Sequence, residues 1–403
     1  MLKPADHDHI EELTKSLETE LIEFRRRLHR FPELGRAEHQ TTAAIVERLV
    51  EAGLSPKVLS IGTGVICDIL DEAGTLPRIG LRGDIDALPL LDAKNVPYRS
   101  QVEGVCHACG HDAHTAIALG AALVLAELRS RGLLKHSVRV IFQPAEEATP
   151  GGALDVIDDG YIKGLERVFA VHCDPKLEVG KVGLRSGAIT AGADRVQVRM
   201  RGKGGHTARP HLTSDLVFAL GAVVTQLPGV LSRLADPRAS LSIVWGQVHA
   251  GRVANAIPQD GYVEGTMRCL DARVWESAHT AVPDLVRSIA SPYGVDVEVD
   301  MHTSVPPCVN DAAATEWLRG VVEETLGHDS ITTTDQSLGG EDFAWILNRV
   351  PGALVRLGVR GHQTAASADL HQGTFDIDEG AIGVGVRLFA ATAVAPPPTA
   401  ASL

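Results

Sequence analysis

The sequence predicts an α/β protein in which a layered domain is interrupted by a smaller inserted one. Three observations predict this. Helix-like and strand-like patterns alternate through the first half, a β-α-β-β-α-β series runs between residues 193 and 302, and the proline-containing SVPPCVND segment then leads into further helix and strand patterns. A chain of 403 residues also exceeds what one hydrophobic core usually fills. The expected boundaries are 1–192 for the first part of the larger domain, 193–302 for the insert and 303–403 for the second part.

Taken in order, the elements begin with helical periodicity near residues 8–30 and again near 39–53, followed by a strand in RIGLRGD at 78–84. The alanine-rich run TAIALGAALVLAELRSRG suits a buried helix. Strands follow at 138–143 (VRVIFQ) and 167–172 (RVFAVH). In the insert, ADRVQVRMRG alternates with period two, SDLVFALGAVVTQLPGVLSRLA reads as a helix, and ASLSIVWGQV and GYVEGTMRC read as strands. DARVWESAHTAVPDLVRSIA is a second helix and VDVEVDMH a last strand, which completes the ferredoxin-like split motif. A helix-strand-helix tail is expected at 312–327, 353–358 and 378–395, and the APPPTAASL end reads as disordered.

Composition narrows the function classes. Hydrophobic residues make up 44% and charged residues 22%, ordinary for a soluble globular protein, and no uninterrupted apolar run reaches the length of a membrane span. The charged, helix-patterned start lacks a secretory layout, so the cytoplasm is the expected compartment. A net charge of −13 repels polyanions, and the Arg25, Arg26, Arg27 cluster reads as a solvated helix face, so neither nucleic acid nor membrane is an expected partner. Six scattered cysteines do not form the dense framework of a small secreted protein.

Chemistry concentrates at the ends of three expected strands. IGLRGDID delivers Asp84 and Asp86, VRVIFQPAEE delivers Glu146 and Glu147, and VFAVH delivers His172. Ligands of open α/β sheets bind outside the carboxyl ends of the strands, so these side chains are expected to share one crevice. The Cys109-Gly110-His111-Asp112-Ala113-His114 segment adds a thiol and imidazoles, a donor mixture that suits zinc or another transition ion. Each element has a plainer reading. Cys106-His107-Ala108-Cys109 is formally a CxxC with a structural or redox alternative, Glu146-Glu147 an exposed acidic pair, His172 a core histidine, and Asp84 and Asp86 turn caps.

RRRLHRFPELG, LRGDIDALPL, HACGHDAHT, QPAEE, GKGGHTARPH, NAIP followed by GTMR, GGEDF and DLHQGTF stand in an order that resembles the dinuclear metallo-aminoacylase and metallocarboxypeptidase family, and most of all its amidohydrolase branch. That branch contains hippurate hydrolases, indole-acetyl-amino-acid hydrolases and N-acetyl-diaminopimelate deacetylases. The resemblance runs from about residue 20 to 390. It implies that Cys109, His111, Glu147, His172 and His371 bind two divalent ions (Zn, Mn or Co) and that Glu146 is the general base. It further implies that Asp86 organises the centre, that His206 reaches a neighbouring subunit's site in a homodimer, and that Asn255 and Arg268 contact a substrate carboxylate. His114 and Asp112 read as support between loop and helix. The sequence departs from the commonest pattern at Gly339-Gly340, where a serine is frequent before EDF, and in AEEATPGGA, which bears on the pocket rim.

The expected activity is hydrolysis of N-acyl amino acids that carry a free carboxylate. The nearest alternative is a dipeptidase or carboxypeptidase of the same family, and the alternative from another class is a non-catalytic metal-binding protein. No G-x-S-x-G elbow is present to support a serine hydrolase.

Overall fold

The computed structural model describes residues 4–75, 77–134, 136–362 and 368–395. The chain divides into two compact units. One contains residues 1–187, 310–335 and 345–403, and the other contains 188–309 and 336–344. The expected disorder after residue 395 lies outside the described residues.

The first unit is built on an eight-stranded sheet in the order Lys57–Val58, Val65–Ile69, Val138–Gln143, Ile79–Asp84, Arg167–Glu178, Gly352–Arg360, Val182–Leu184, Ile331–Thr333. Its four central strands run parallel. Val138–Gln143 and Ile79–Asp84 are buried along their whole length, the mark of strands covered on both faces. Because these strands share a direction, their carboxyl ends open on one edge.

Helices cover the sheet. His111–Ser130 packs against Pro4–Arg30 and Gly380–Val394, and small residues set the spacing. A Cβ on Gly120 would meet Leu21 and Val386 at 2.6 Å, and one on Gly385 would meet Ile117 at 2.5 Å. His111–Ser130 and Leu216–Leu234 are long and apolar enough to cross a membrane by length and composition, but the first is 78% buried inside its own unit.

The second unit is a four-stranded antiparallel sheet ordered Ser242–Ala250, Asp260–Cys269, Gly192–Arg201, Asp296–Val305. The helices Leu216–Leu234 and Ala272–Ala290 pack on it. This is the split β-α-β arrangement expected of the insert. Period two is visible in Val196, Val198 and Met200, which enter its core, while Arg199 and Arg201 stay exposed. Aspartates start both helices: Asp215 accepts from the Phe218 N–H, and Asp271 from those of Arg273 and Val274.

Two expectations need correction. The strand expected at 167–172 continues to Glu178, because the neighbouring Gly352–Arg360 strand keeps pairing with it as far as Arg360 opposite Glu178. His172 is therefore inside a strand, just past the point where pairing with Ile79–Asp84 stops at Arg82 opposite Ala170. The arginine cluster is also not one solvated face. Successive helical residues point about 100° apart, so Arg25 shares the buried side with Leu21 and Leu28 while Arg27 is exposed.

Arg25 is 1% exposed, and its Nε lies 2.6 Å from Asp112 Oδ2, with Asp376 at 2.9 Å and Glu379 at 3.3 Å from its other nitrogens. Asp112 is fully buried in the first turn of His111–Ser130 and also meets His29 Nδ1 at 2.7 Å, so losing Arg25 takes a permanent positive charge away from an interior carboxylate. Arg25→Ala is predicted to lose about 3–5 kcal/mol of stability, and Arg25→Ala with Asp112→Ala less than the sum of the two single changes. Denaturant unfolding of the four proteins measures this, and strictly additive losses would contradict the pairing.

Candidate metal centre

Three segments meet at the carboxyl edge of the parallel strands. Ile79–Asp84 ends in Asp84, and Asp86 follows two residues on. Val138–Gln143 leads into Pro144, Ala145 and the two glutamates. Ala145 has φ 53, a left-handed conformation that turns the chain so that Glu146 and Glu147 follow at once. Its N–H donates to Glu38 Oε1 at 2.7 Å. Glu38 is fully buried, and burial raises its pKa. Sequence reading missed this brace, since nothing in the spacing links residue 38 to residue 145.

The CGHDAH segment enters its helix through Gly110, at φ 91. A Cβ there would also lie 2.8 Å from Cys173 Sγ, so glycine is needed both for the turn and for the close approach. Cys109 and His111, on either side of it, then reach the same point.

The donor atoms of these residues lie close together. Cys109, His111 and His172 offer ligand atoms within 4.8 Å of one another, as do Cys109, Glu147 and His371, and His111, Glu146 and Glu147. Cys109 Sγ lies 3.5 Å from His172 Nε2, and His371 Nε2 lies 3.1 Å from Glu147 Oε1. His371, at φ 62, is anchored by its N–H to the Ala108 carbonyl at 2.8 Å. Its side chain is 54% exposed, at the open side of the cluster.

Asp86 stands behind the donors. One carboxylate oxygen lies 3.2 Å from His111 Nδ1, and the other accepts the Glu147 N–H at 3.0 Å. With Nδ1 facing Asp86, His111 turns its buried Nε2 toward the cluster, 3.9 Å from Glu147 Oε1. His172 donates from Nδ1 to the Cys173 carbonyl at 2.8 Å, which leaves the Nε2 lone pair facing Cys109 Sγ.

Electrostatics fit a cation at this point. Burial pushes the Cys109 thiol up to about 12, with the nearby His111 opposing the rise. Burial also opposes charge on His111, but Asp84, Cys109 and Asp86 outweigh it and hold its pKa well above the ordinary histidine value. Burial, with Arg356 and His114, keeps His172 neutral. Glu147 is held below the usual carboxylate range because His371 and His111 overcome its burial. A thiol, three imidazoles and a carboxylate that together favour a positive charge suit zinc or a similar ion.

All six cysteines are free, Cys106 and Cys109 included. Cys106 belongs to a separate buried group, where Lys94 Nζ lies 3.6 Å from its sulfur and 3.1 Å from Asp92 Oδ1, so an ammonium already supplies the positive charge there.

The three remaining residues belong to the second unit. His206 lies on the short Gly205–His206 strand opposite Ala256, and the Thr207 N–H bonds the Asn255 carbonyl, so His206 and Asn255 form one exposed group. The Ala208 N–H donates to His206 Nδ1 at 3.1 Å, which puts the ring proton on Nε2. Arg268 is elsewhere: it pairs with Ala193, whereas the His206 loop leaves from the end where Asp260 pairs with Arg201. Eight residues of strand separate the two ends, about 26 Å at roughly 3.3 Å per residue. Within one chain, Arg268 and the His206–Asn255 pair are not brought together.

The description "Peptidase family M20/M25/M40" matches residues 80–395. The chain is 38% identical over 369 residues to the N-acetyl-L-cysteine deacetylase of Bacillus subtilis (strain 168), covering 91% of this chain and 86% of that protein. It is 46% identical over 380 residues to a Rhodococcus jostii (strain RHA1) protein named as a glutamate–cysteine ligase 2-3, covering 94% of this chain but 47% of that protein, so the chain spans about half of that relative's length. Among solved structures, a Bacillus subtilis protein described as a dinuclear metal binding peptidase of the M20 family superposes with a TM-score of 0.81 at 34% identity, covering 94% of this chain and 98% of that one. The chain belongs to peptidase family M20/M25/M40.

Proposed function

We propose that the chain is a dinuclear-metal amidohydrolase that hydrolyses N-acyl amino acids to a carboxylic acid and a free amino acid. The observation that carries this reading is the convergence of Cys109, His111, Glu147, His172 and His371 donors beside a second glutamate, Glu146. The deacetylase name of the Bacillus subtilis relative supports the same chemistry.

In this reading those five residues hold the two ions. When bound, the ions supply Lewis acidity, bringing the pKa of water down to about 7 and polarising the scissile carbonyl. Glu146 takes the proton from the attacking water and returns it to the departing amine. Glu147 has a different task, since His371 and His111 hold its carboxylate ionised as a ligand. Asp86 keeps His111 in the tautomer whose Nε2 donates.

His206 supplies a hydrogen bond to the oxyanion, supported by the proton on its exposed Nε2. Arg268 and Asn255 hold the substrate carboxylate, Arg268 through its planar fork. Because His206 with Asn255 lies at the opposite end of the sheet from Arg268, one substrate meets all three only if two chains contribute. A homodimer meets that need. Its proposed contact surface is the edge strand Ser242–Ala250 and the adjoining helix, where Val217, Phe218, Leu234, Val244 and Val248 are all more than half exposed. Six free, buried cysteines support a reducing compartment, and we place the protein in the cytoplasm.

Glu146→Gln removes the proton acceptor with little change of shape. It is predicted to keep both ions while losing roughly 10²–10⁴-fold in kcat, and near-normal turnover at full metal occupancy would remove Glu146 from the mechanism. The assay pairs N-acetyl, N-benzoyl and indole-acetyl amino acids with dipeptides in Zn, Mn and Co. Preference for dipeptides would move the reading to a peptidase of the same family.

Mixing Glu146→Gln with His206→Ala chains tests the shared site. Random pairing gives mixed dimers with one intact site each, so activity is predicted to return to roughly a quarter of wild type. No recovery after verified subunit exchange would defeat the shared arrangement while leaving the metal chemistry in place.

A further inference from the structure

We infer that His114 is a positioning residue for the ligand His172, acting with Asp84 through the backbone of Cys173, and that it is not itself a metal ligand. The inference rests on the dinuclear reading above. Proximity alone would allow the opposite, because Asp84, His111 and His114 also offer donor atoms within 4.8 Å of one another, as a metal triad would.

The hydrogen bonds decide between the two. The Cys173 N–H donates to His114 Nε2 at 2.8 Å, so that nitrogen is an acceptor and its lone pair is occupied. The ring proton is then on Nδ1, which lies 2.6 Å from Asp84 Oδ1. No lone pair of His114 remains for an ion. Asp84 is equally committed: its other oxygen accepts from Arg82 Nη1 at 2.6 Å, and Arg82 Nε donates to Gln143 Oε1 at 3.0 Å. Arg82, Asp84 and His114 are all fully buried.

The fold gives the reason for this arrangement. Pairing between Ile79–Asp84 and Arg167–Glu178 ends at Arg82 opposite Ala170, three residues before Cys173. Beyond that point Ile79–Asp84 no longer pairs with Arg167–Glu178, and His114 takes the Cys173 N–H. The Cys173 carbonyl in turn accepts from His172 Nδ1 at 2.8 Å and leaves His172 Nε2 facing Cys109 Sγ. Asp84, His114, Cys173 and His172 thus form one line of hydrogen bonds that fixes the tautomer and rotation of the ligand ring.

The test uses metal-depleted full-length protein titrated with Co²⁺, reading the thiolate-to-cobalt absorption and the d–d bands. His114→Phe removes the acceptor and keeps the volume. It is predicted to weaken one of the two ions about 10–100-fold while reaching wild-type stoichiometry and bands at saturation. His114→Gln keeps an acceptor for Cys173 and a donor for Asp84, and is predicted to stay within about threefold of wild type on the same scale. Unchanged affinity in His114→Phe would overturn the inference. So would loss of one ion at saturation in His114→Gln, which would make His114 a ligand, and this second variant decides alone if His114→Phe does not fold. Failure of the wild type to bind two ions with a thiolate band would instead defeat the dinuclear reading, whatever the His114 variants do.

Discussion

The carboxylate of Asp86 is the interaction on which the rest of the centre depends. It is 1% exposed, and its two oxygens meet the His111 ring and the Glu147 backbone from opposite sides. One side chain thereby joins three stretches of chain: the turn after the Ile79–Asp84 strand, the start of the His111–Ser130 helix, and the loop after Val138–Gln143. A buried carboxylate is stable only with its acceptors used, so the site that satisfies Asp86 is also the site that aims the donors. Space is held for it as well, since a Cβ on Gly35 would lie 3.2 Å from Asp86 Oδ2.

Much of this was legible in the sequence, for local reasons. An apolar run located the strand at 138–143, the alanine-rich run TAIALGAALVLAELRSRG located all but the first turn of the His111–Ser130 helix, and strand ends named Asp84, Asp86 and the two glutamates. What stayed hidden depends on contacts between distant residues. Arg25 reads as one of three surface arginines until Asp112, Asp376 and Glu379 are found around it. Nothing local marks Glu38 as the residue that holds the Ala145 N–H. The extent of the Arg167–Glu178 strand is set by a partner almost two hundred residues away, which is why its own pattern ends too early.

The candidate donors, by contrast, follow from the family resemblance of the motifs, and the structure adds the hydrogen-bond direction at each ring. His111 and His172 both direct their Nδ1 atoms into the protein and keep Nε2 for the centre, whereas His206 does the reverse and presents Nε2–H to solvent. The same ring nitrogen, Nε2, therefore faces the centre in one unit and carries a proton toward solvent in the other. That division follows from local backbone partners alone: a carbonyl beside His172 and an N–H beside His206.

Anomalous scattering from crystals of the zinc-loaded protein, collected on both sides of the zinc absorption edge, tests the central claim most directly. Two zinc peaks per chain are predicted, with Cys109, His111, Glu147, His172 and His371 as the protein ligands and Asp86 still bonded to His111 Nδ1. A single peak, or zinc bound with Cys109 outside the coordination sphere, would contradict the account.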